Sequence, residues 1–495
     1  MDARPNILLV TIDQIRADAI FGALGGCVPL PNIRKLAVSG ITFRNHFSVT
    51  APCGPARASL LTGLYAMNHR VVRNGAPLAA WHTNLALEAR KAGYEPLLFG
   101  YTDVQSDPTD RAPGDPDLAS YEGILPGFRE LVELRFDSPK AWPAYLAANG
   151  YILPAESGDL WRPAPSRGNA PAIRDPAFYK AEHSDTAFLT DEMLKALSVR
   201  MRNPWFAHLT YIRPHPPLVA PEPYNRMIDA AALPPVLPPA PAHLYLDAWF
   251  SAPSQGGLYW GFDGDFTRMS EETVRDLRAV YLGLLAEVDH HFGRVLDWLD
   301  ETGQADRTLV VLTGDHGEML GDHGVWGKDT FFDPVFHVPL IVRDPTHASA
   351  AGKTVEAITE SVDVAPTILA AIGRAVPPAM DGTPLQPFYD GRTPHPRKAA
   401  FAEFDFANPV APTRFQRALK LPPLDCNAAV MRETRWKYVH FNGGLPPLLF
   451  DLESDPGETR NVAEEYPAEV ARLRAAMLDR RMSRAFRALT EWTPV

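Results

Sequence analysis

The chain has 495 residues, of which 46% are apolar, 10% aromatic and 22% charged. That composition excludes a disordered or coiled-coil chain, and the length excludes a disulfide-stapled miniprotein, which leaves a large α/β unit with an appendage or several domains. A net charge of −11 without any basic block excludes a nucleic-acid footprint, so the expected partner is a small molecule. No apolar run approaches the roughly 18 residues of a membrane span. Met1 to Pro5 leads into a strand without a signal-peptide core, so no membrane association is expected and the expected location is the cytoplasm. Cys27, Cys53 and Cys426 are few, odd in number and far apart, which fits a reducing compartment without disulfides. The 34 glycines and 49 prolines predict long, stiffened loops.

In chain order, strands and helices alternate. Asn6 to Ile12 (NILLVTI) is an unbroken apolar run ending in Asp13, the pattern of a buried parallel strand with a carboxylate at its C-terminal edge. Pro31 to Ser39 predicts a helix stopped by Gly40, and Ile41 to Val49 a strand. Leu97 to Tyr101, Trp205 to Ile212, Leu309 to Thr313 and Leu340 to Arg343 are further short strands, each leading into polar residues. Between Pro214 and Phe262, proline clusters with interspersed aromatics predict an ordered excursion over the sheet edge, a lid candidate spanning 214–262. Glu271 to Thr302 predicts the clearest helix, with Leu277, Tyr281, Leu284, Val288, Phe292, Leu296 and Leu299 on one face and Gly303 at its end. Val364 to Ile372 predicts another, closed by Gly373.

The pattern changes after about Gly382. Trp436 to Phe441 and Leu448 to Leu452 suggest an antiparallel pair, and Pro467 to about Leu489 a terminal helix. The expected architecture is α/β, a mostly parallel central sheet flanked by helices over 1–381, with a smaller C-terminal α+β subdomain over 382–495. Val470, Leu473, Met477, Met482 and Phe486 of the terminal helix form an apolar face that could pack on a second copy, so a homo-oligomer is expected, or on the helix's own subdomain.

Ligands in open α/β sheets bind beyond the carboxyl ends of the strands. Asp13 and Gln14 close the first strand, Asp315 and His316 follow TLVVLTG, and Tyr101, Thr102 and Asp103 follow LLFG. Two carboxylates, an amide and an imidazole at one edge suit a hard divalent cation, Ca²⁺, Mg²⁺ or Mn²⁺, with the imidazole favouring Mn²⁺. Taken singly, Asp13 could instead cap a turn and His316 be a satisfied core histidine.

The sharper signal is CGPARASLLTG from Cys53 to Gly63. Pro55 suits a helix's first turn and Gly63 its end, which puts Cys53 at the N-terminus, where the dipole and free amides would lower a thiol pKa and favour anions. A small apolar cysteine at a helix start remains the plain alternative. CxPxR followed by ASLLTG resembles the sulfatase signature of the alkaline phosphatase superfamily. VTIDQIRAD, TGDHGEMLGDHG with WGK after it, and FDLESDPGETRN are also similar to that family, in the right order from Asn6 to Asn461. PCGPARASLLTGLYAMNHR, YIRPHPP and the long helix most resemble the phosphonate monoester hydrolases and phosphodiesterases and the arylsulfatases related to them.

The resemblance implies that Cys53 is oxidised to formylglycine by a formylglycine-generating enzyme. It also implies that sulfate monoesters, phosphonate monoesters or phosphodiesters are hydrolysed through a covalent formylglycine ester. One divalent metal ion, Mn²⁺ or Ca²⁺, would be held by the modified Cys53 with Asp13, Gln14, Asp315 and His316. Arg57, one turn after Cys53, would reach back to polarise the hydrated aldehyde. Lys328 would contact the transferring group, His215 would protonate or stabilise the leaving oxygen, and Asn74 and Tyr101 would line the pocket. Asp322 and His323 repeat the DHG pattern and are expected to cap a loop.

Two positions depart from the pattern. Gln14 stands where many sulfatases have a second Asp, and Asp103 where phosphonate hydrolases carry a threonine. A carboxylate at Asp103 should repel dianions, so singly charged centres are expected to be preferred over phosphate monoesters. Two other readings compete: a two-metal phosphodiesterase or phosphatase of the same fold, and a binding protein whose Cys53 stays a thiol.

Overall fold

In the computed structural model Asn6–Ile12 form strand β1, with all its residues buried, inside an eight-stranded sheet. The structure describes residues 4–109, 111–115, 118, 120–137, 139–164, 172–200, 204–254, 257–392 and 397–485. The strands after β1 are β2 (Ile41–Phe43), β3 (His46–Phe47), β4 (Pro96–Gly100), β5 (Arg129–Glu133), β6 (Phe206–Tyr211), β7 (Thr308–Gly314) and β8 (Leu340–Arg343). They continue with β9 (Thr354–Val355), β10 (Thr359–Glu360), β11 (Ala399–Asp405), β12 (Asn427–Glu433), β13 (Trp436–Phe441) and β14 (Leu448–Asp451). The large sheet runs β5-β4-β6-β1-β7-β8-β2-β9. Strands β5, β4, β6, β1 and β7 are parallel, whereas β8 is antiparallel to both β7 and β2. The expected strand over 41–49 is divided between β2 and β3 by a turn at Arg44 and Asn45.

Side chains alternate across a strand, so the unbroken apolar run of β1 must feed two cores. Leu8, Val10 and Ile12 join one cluster, and Ile7 and Leu9 the other. The first cluster packs under α1 (Pro31–Ser39), α3 (Asp185–Ser198) and α4 (Glu271–Glu301). The second packs under α2 (Cys53–Thr62) and α5 (Val364–Ala371). In α4 the Ser270 side chain accepts from the Thr273 amide, and Glu271 and Glu272 occupy the first turn, so the positive end of the helix is satisfied twice.

Register aligns the functional edge. Ile12 lies opposite both Tyr211 and Gly314, so three adjacent parallel strands end level. Asp13 and Asp315 therefore emerge side by side, and Tyr101 joins them because Phe99 of β4 lies opposite Leu209.

The C-terminal part is a four-stranded antiparallel sheet, β11-β12-β13-β14, with α6 (Arg414–Leu419) in the connection between β11 and β12 and α7 (Pro467–Arg484) after β14. The sequence pattern revealed β13, β14 and α7 but not β11 and β12. Leu473 and Met477 are buried against Tyr438 and Leu449 with Val470 beside them, so most of the apolar face assigned to a second copy packs on the chain's own sheet. Leu478 and Met482 stay exposed, and Phe486 and Leu489 lie outside the described residues. Among the described residues no helix is long and apolar enough to cross a membrane.

The motif FDLESDPGETRN ties the two sheets together. Lys437 on β13 is fully buried, with its Nζ 2.7 Å from Asp333 Oδ1 and 2.5 Å from Glu458 Oε1. Glu458 Oε2 also accepts the Asp333 amide at 2.7 Å. Burial pushes the Glu458 carboxyl up, whereas at Asp333 the charges of Lys437 and Arg432 outweigh burial and hold the carboxyl down. Lys437→Met would leave the buried Glu458 and the half-buried Asp333 carboxylates without this cation, and a loss of about 3–5 kcal/mol is expected in urea denaturation. A loss below about 1 kcal/mol, the range of exposed pairs, would show that this cluster does not hold the junction.

Candidate active site

Asp13 and Asp315 are brought together at the level edge of β1 and β7, where two buried anions would repel. Arg57 of α2 stands between them. Its Nε donates to Asp315 Oδ2 at 2.9 Å, its Nη2 to Asp13 Oδ2 at 3.0 Å, and its Nη1 to Thr210 Oγ1 at 2.7 Å. Tyr101 completes the group: its ring lies 4.2 Å from the guanidinium carbon, its hydroxyl accepts from Arg57 Nη2 at 3.1 Å and donates to Asp13 Oδ2. At Asp315 the positive charges around it, Arg57 and Lys328 among them, outweigh burial and hold the carboxyl well down. Arg57 thus reaches the carboxylates and not, as expected, the Cys53 side chain.

Helix α2 is buried along its whole length and begins at Cys53, with Pro52 as a cap that offers no side-chain acceptor. Asn74 Oδ1 takes that role by accepting from the Gly54 amide at 2.9 Å. Gly54 is required there, since a Cβ would stand 2.8 Å from the Asp103 carbonyl oxygen. Gly63, at φ +68°, closes the helix.

The Cys53 Sγ is 3.2 Å from His316 Nε2, 2.8 Å from Lys328 Nζ and 3.9 Å from Asp13 Oδ1. The expected lowering of this thiol is not found. Burial, with Asp13, pushes it well above the usual thiol range, and Lys328 offsets only part. Loss of hydration is the largest cause, and the Gly54 amide at the head of the helix is already taken by Asn74.

The ligand atoms of Asp13, Cys53, Asp315 and His316 all lie within 4.8 Å of one another, the one such cluster of His, Cys, Asp and Glu among the described residues. His316 Nδ1 is 2.9 Å from the Gly317 carbonyl, which only accepts, so Nδ1 carries the proton and Nε2 presents its lone pair to the cluster. Two carboxylates and one oriented imidazole fit a divalent cation. Gln14, at φ +64°, turns its Oε1 to Lys328 Nζ at 3.0 Å while its Nε2 donates to Glu318. Glu318 also accepts the Leu320 amide at 3.2 Å, so this buried carboxylate orients the one amide in the expected ligand set. It sits in plain view in TGDHGEML, yet its role depends on a contact across 304 positions that spacing does not reveal.

A small pocket beside Cys53 is lined by Asn74, Tyr101, Asp103, Glu122, Phe136 and His215. Asp103 is buried at φ +52°, and its Oδ1 has no hydrogen-bond partner. Burial pushes its carboxyl well up, with Arg57 offsetting only part. Burial thus disfavours the charge on Asp103 by which its sequence position suggested that dianions are repelled. His215 is half-buried, and burial, then Lys328, holds its imidazole well below the usual range. Its Nδ1 points at the Pro216 carbonyl. The pocket opens into a cleft of about 650 Å³ that runs from Gln14, His215 and Lys328 past Pro253 and Leu258 to the segment 404–417. Asp322 and His323 lie outside it. Asp322 accepts from Arg16 Nη1 at 2.8 Å and from the Leu237 amide at 2.9 Å, and His323 Nδ1 pairs with the Pro238 carbonyl at 2.8 Å, which fastens the proline-rich excursion as a loop cap would.

The chain matches the family model described as Sulfatase over residues 5–374, and that described as N-sulphoglucosamine sulphohydrolase, C-terminal, over residues 321–485. It is 39% identical to the multifunctional alkaline phosphatase superfamily protein PehA of Trinickia caryophylli, with 99% of this chain and 97% of that protein covered. Its fold is similar to the phosphonate monoester hydrolase of Silicibacter pomeroyi, at a TM-score of 0.92 and 46% identity, covering 97% of this chain and 96% of that one. The phosphonate monoester hydrolase of Agrobacterium radiobacter gives 0.89 and 41% with the same coverage.

Asp315→Ala is expected to abolish high-affinity binding of Mn²⁺ or Ca²⁺ to the purified protein. Tyr101→Phe, which removes only the hydroxyl that orients Asp13, should weaken binding by about 10–100-fold. Undiminished metal content in Asp315→Ala would show that the cluster does not hold the ion.

Proposed function

The chain belongs to the sulfatase family, in the alkaline phosphatase superfamily, and on that premise we propose that it hydrolyses singly charged oxyacid esters. These are sulfate monoesters, phosphonate monoesters and phosphodiesters, cleaved with formylglycine at position 53 and one divalent ion, Mn²⁺ or Ca²⁺, held by Asp13, Asp315 and His316 with Gln14 at the rim. The observation that carries the reading is the convergence of Asp13, Asp315 and His316 on the head of α2, where Cys53 stands. A formylglycine-generating enzyme is the partner that maturation requires.

Oxidised to formylglycine and hydrated, position 53 would supply a geminal diol, one oxygen to attack phosphorus or sulfur and a second to release the resulting ester. A cation in the cluster would lower the pKa of that diol and neutralise the ester's anionic oxygens. The remaining work belongs to side chains. Arg57 aims Asp13 and Asp315 at the cluster and helps hold the Asp315 carboxyl down, so its charge is already compensated. Lys328 reaches Sγ at 2.8 Å, and Cys53 and Asp13 outweigh burial to hold it protonated, so its ammonium faces the transferring group. Unlike Arg57, Lys328 makes no ion pair among the described residues, its Nζ meeting only Gln14 Oε1 and Cys53 Sγ, and one such ammonium suits one negative charge; this replaces repulsion by Asp103 as the ground for preferring singly charged centres. His215 is neutral in the free protein with its proton on Nδ1, so it donates to the leaving oxygen only as imidazolium. An anionic ester bound beside it favours that form. The excursion over 214–262 contributes His215, Pro216, Pro253 and Leu258 to the cleft wall and serves as its lid.

With protein co-expressed with a maturing enzyme, initial rates on aryl sulfate, phenylphosphonate ester and phosphodiester should exceed those on phosphate monoester, and Cys53→Ala should lose turnover on all of them. Retained turnover in Cys53→Ala, or an unmodified thiol in the mass spectrum of an active preparation, would reject the mechanism. His215→Ala should slow esters of poor leaving groups by about 10²–10⁴-fold while esters of nitrophenols are slowed far less. Equal losses on both would remove His215 from leaving-group chemistry.

A further inference from the structure

The cleft has a second lobe, away from Cys53, whose chemistry the reaction does not use. Its wall includes Tyr245, Phe404, Phe406 and Phe415, with Tyr245 and Phe415 stacked at 4.7 Å, and into it comes the side chain of Arg414. Arg414 opens α6, and Thr413 and Gln416 form a capping box that fixes the backbone beneath it. Its guanidinium lies over the Trp249 ring at 4.4 Å, which leaves few ways for the fork to turn. The side chain is 12% exposed. Its Nη1 is buried without a hydrogen-bond partner, and its Nη2 is 3.9 Å from the exposed Asp329 carboxylate, beyond hydrogen-bond length. A buried guanidinium N–H left unpaired is costly, so a group held this rigidly beside open space calls for an acceptor. Arg73 and Arg417 line the same cleft, whose wall also carries the carboxylates of Glu318, Asp329 and Asp405.

We infer that this lobe is a subsite for the alcohol part of the ester, shaped for a planar leaving group that carries an oxyanion such as a carboxylate, with Arg414 as its anchor. The inference rests on the hydrolase reading for the reacting end only. Aromatic walls take the ring of the leaving group, and the free edge of the guanidinium takes the carboxylate in a charge-assisted hydrogen bond. The substrates so selected are esters of hydroxy acids, anionic at both ends.

Two phenols test this without turnover. 4-Hydroxybenzoate and 4-hydroxybenzamide have nearly the same shape and differ in charge. Calorimetric titration of the metal-loaded wild-type protein should show the benzoate binding about tenfold or more tightly, and in Arg414→Met the two affinities should converge. Arg414→Lys, which keeps the charge and loses the fork, should fall between, and thermal melts confirm that each variant is folded. The kcat/KM ratio for aryl sulfates or phosphonates built on the same two phenols should follow the same order. Equal affinities in the wild type, or an undiminished preference in folded Arg414→Met, would overturn the subsite. A preserved binding preference with no turnover of either ester would instead overturn the hydrolase reading and leave the subsite standing.

Discussion

Arg57 lies between Asp13 and Asp315 at 3.0 and 2.9 Å, with all three side chains shut off from water. The carboxylates are there because β1 and β7 end level, and level ends follow from the register of the parallel sheet. Without a cation, two buried acids this close would not both ionise. A guanidinium can serve both because its fork presents separate N–H groups in fixed directions, which an ammonium does not. The same side chain also reaches Thr210 on β6 and Tyr101 after β4, so one residue of α2 clasps the ends of four strands. Cys53 is one helical turn away on the same helix, and its place relative to the carboxylates is set by that clasp.

Such a site is dry and crowded, and this decides the state of its titratable groups. Cys53, Asp103 and His215 are each driven toward the neutral form chiefly by burial, whereas Asp315 and Lys328 keep their charges because opposite charges face them. A neutral thiol among acids is a poor nucleophile. That is the physical difficulty which conversion of Cys53 to another functional group would remove.

The central sheet was legible because NILLVTI and TLVVLTG are mostly apolar runs, the pattern of strands covered on both faces, and each leads into a polar residue that the register then aligns. Helix α4 was legible from its apolar seam, and the limits of α2 from Pro55 and Gly63. β11 and β12, AAFAEFD and NAAVMRE, were not, since short alanine-rich strings carry no clear period and owe their pairing to each other. Spacing also could not show that Arg57 turns toward carboxylates, that Glu318 holds Gln14, or that Asn74 occupies the Gly54 amide, since each is a contact between distant segments. The Cys53 pKa was misjudged in sign because sequence exposes the helix dipole but not the desolvation that outweighs it.

Lys437, held between Asp333 and Glu458, fixes the C-terminal sheet against the segment that follows Lys328. The cleft is therefore composite. Its chemical end comes from residues before 330, and its far wall from the stretch 404–417. Changes in that later stretch would therefore reshape the far wall while the side chains clustered around Cys53 keep their places.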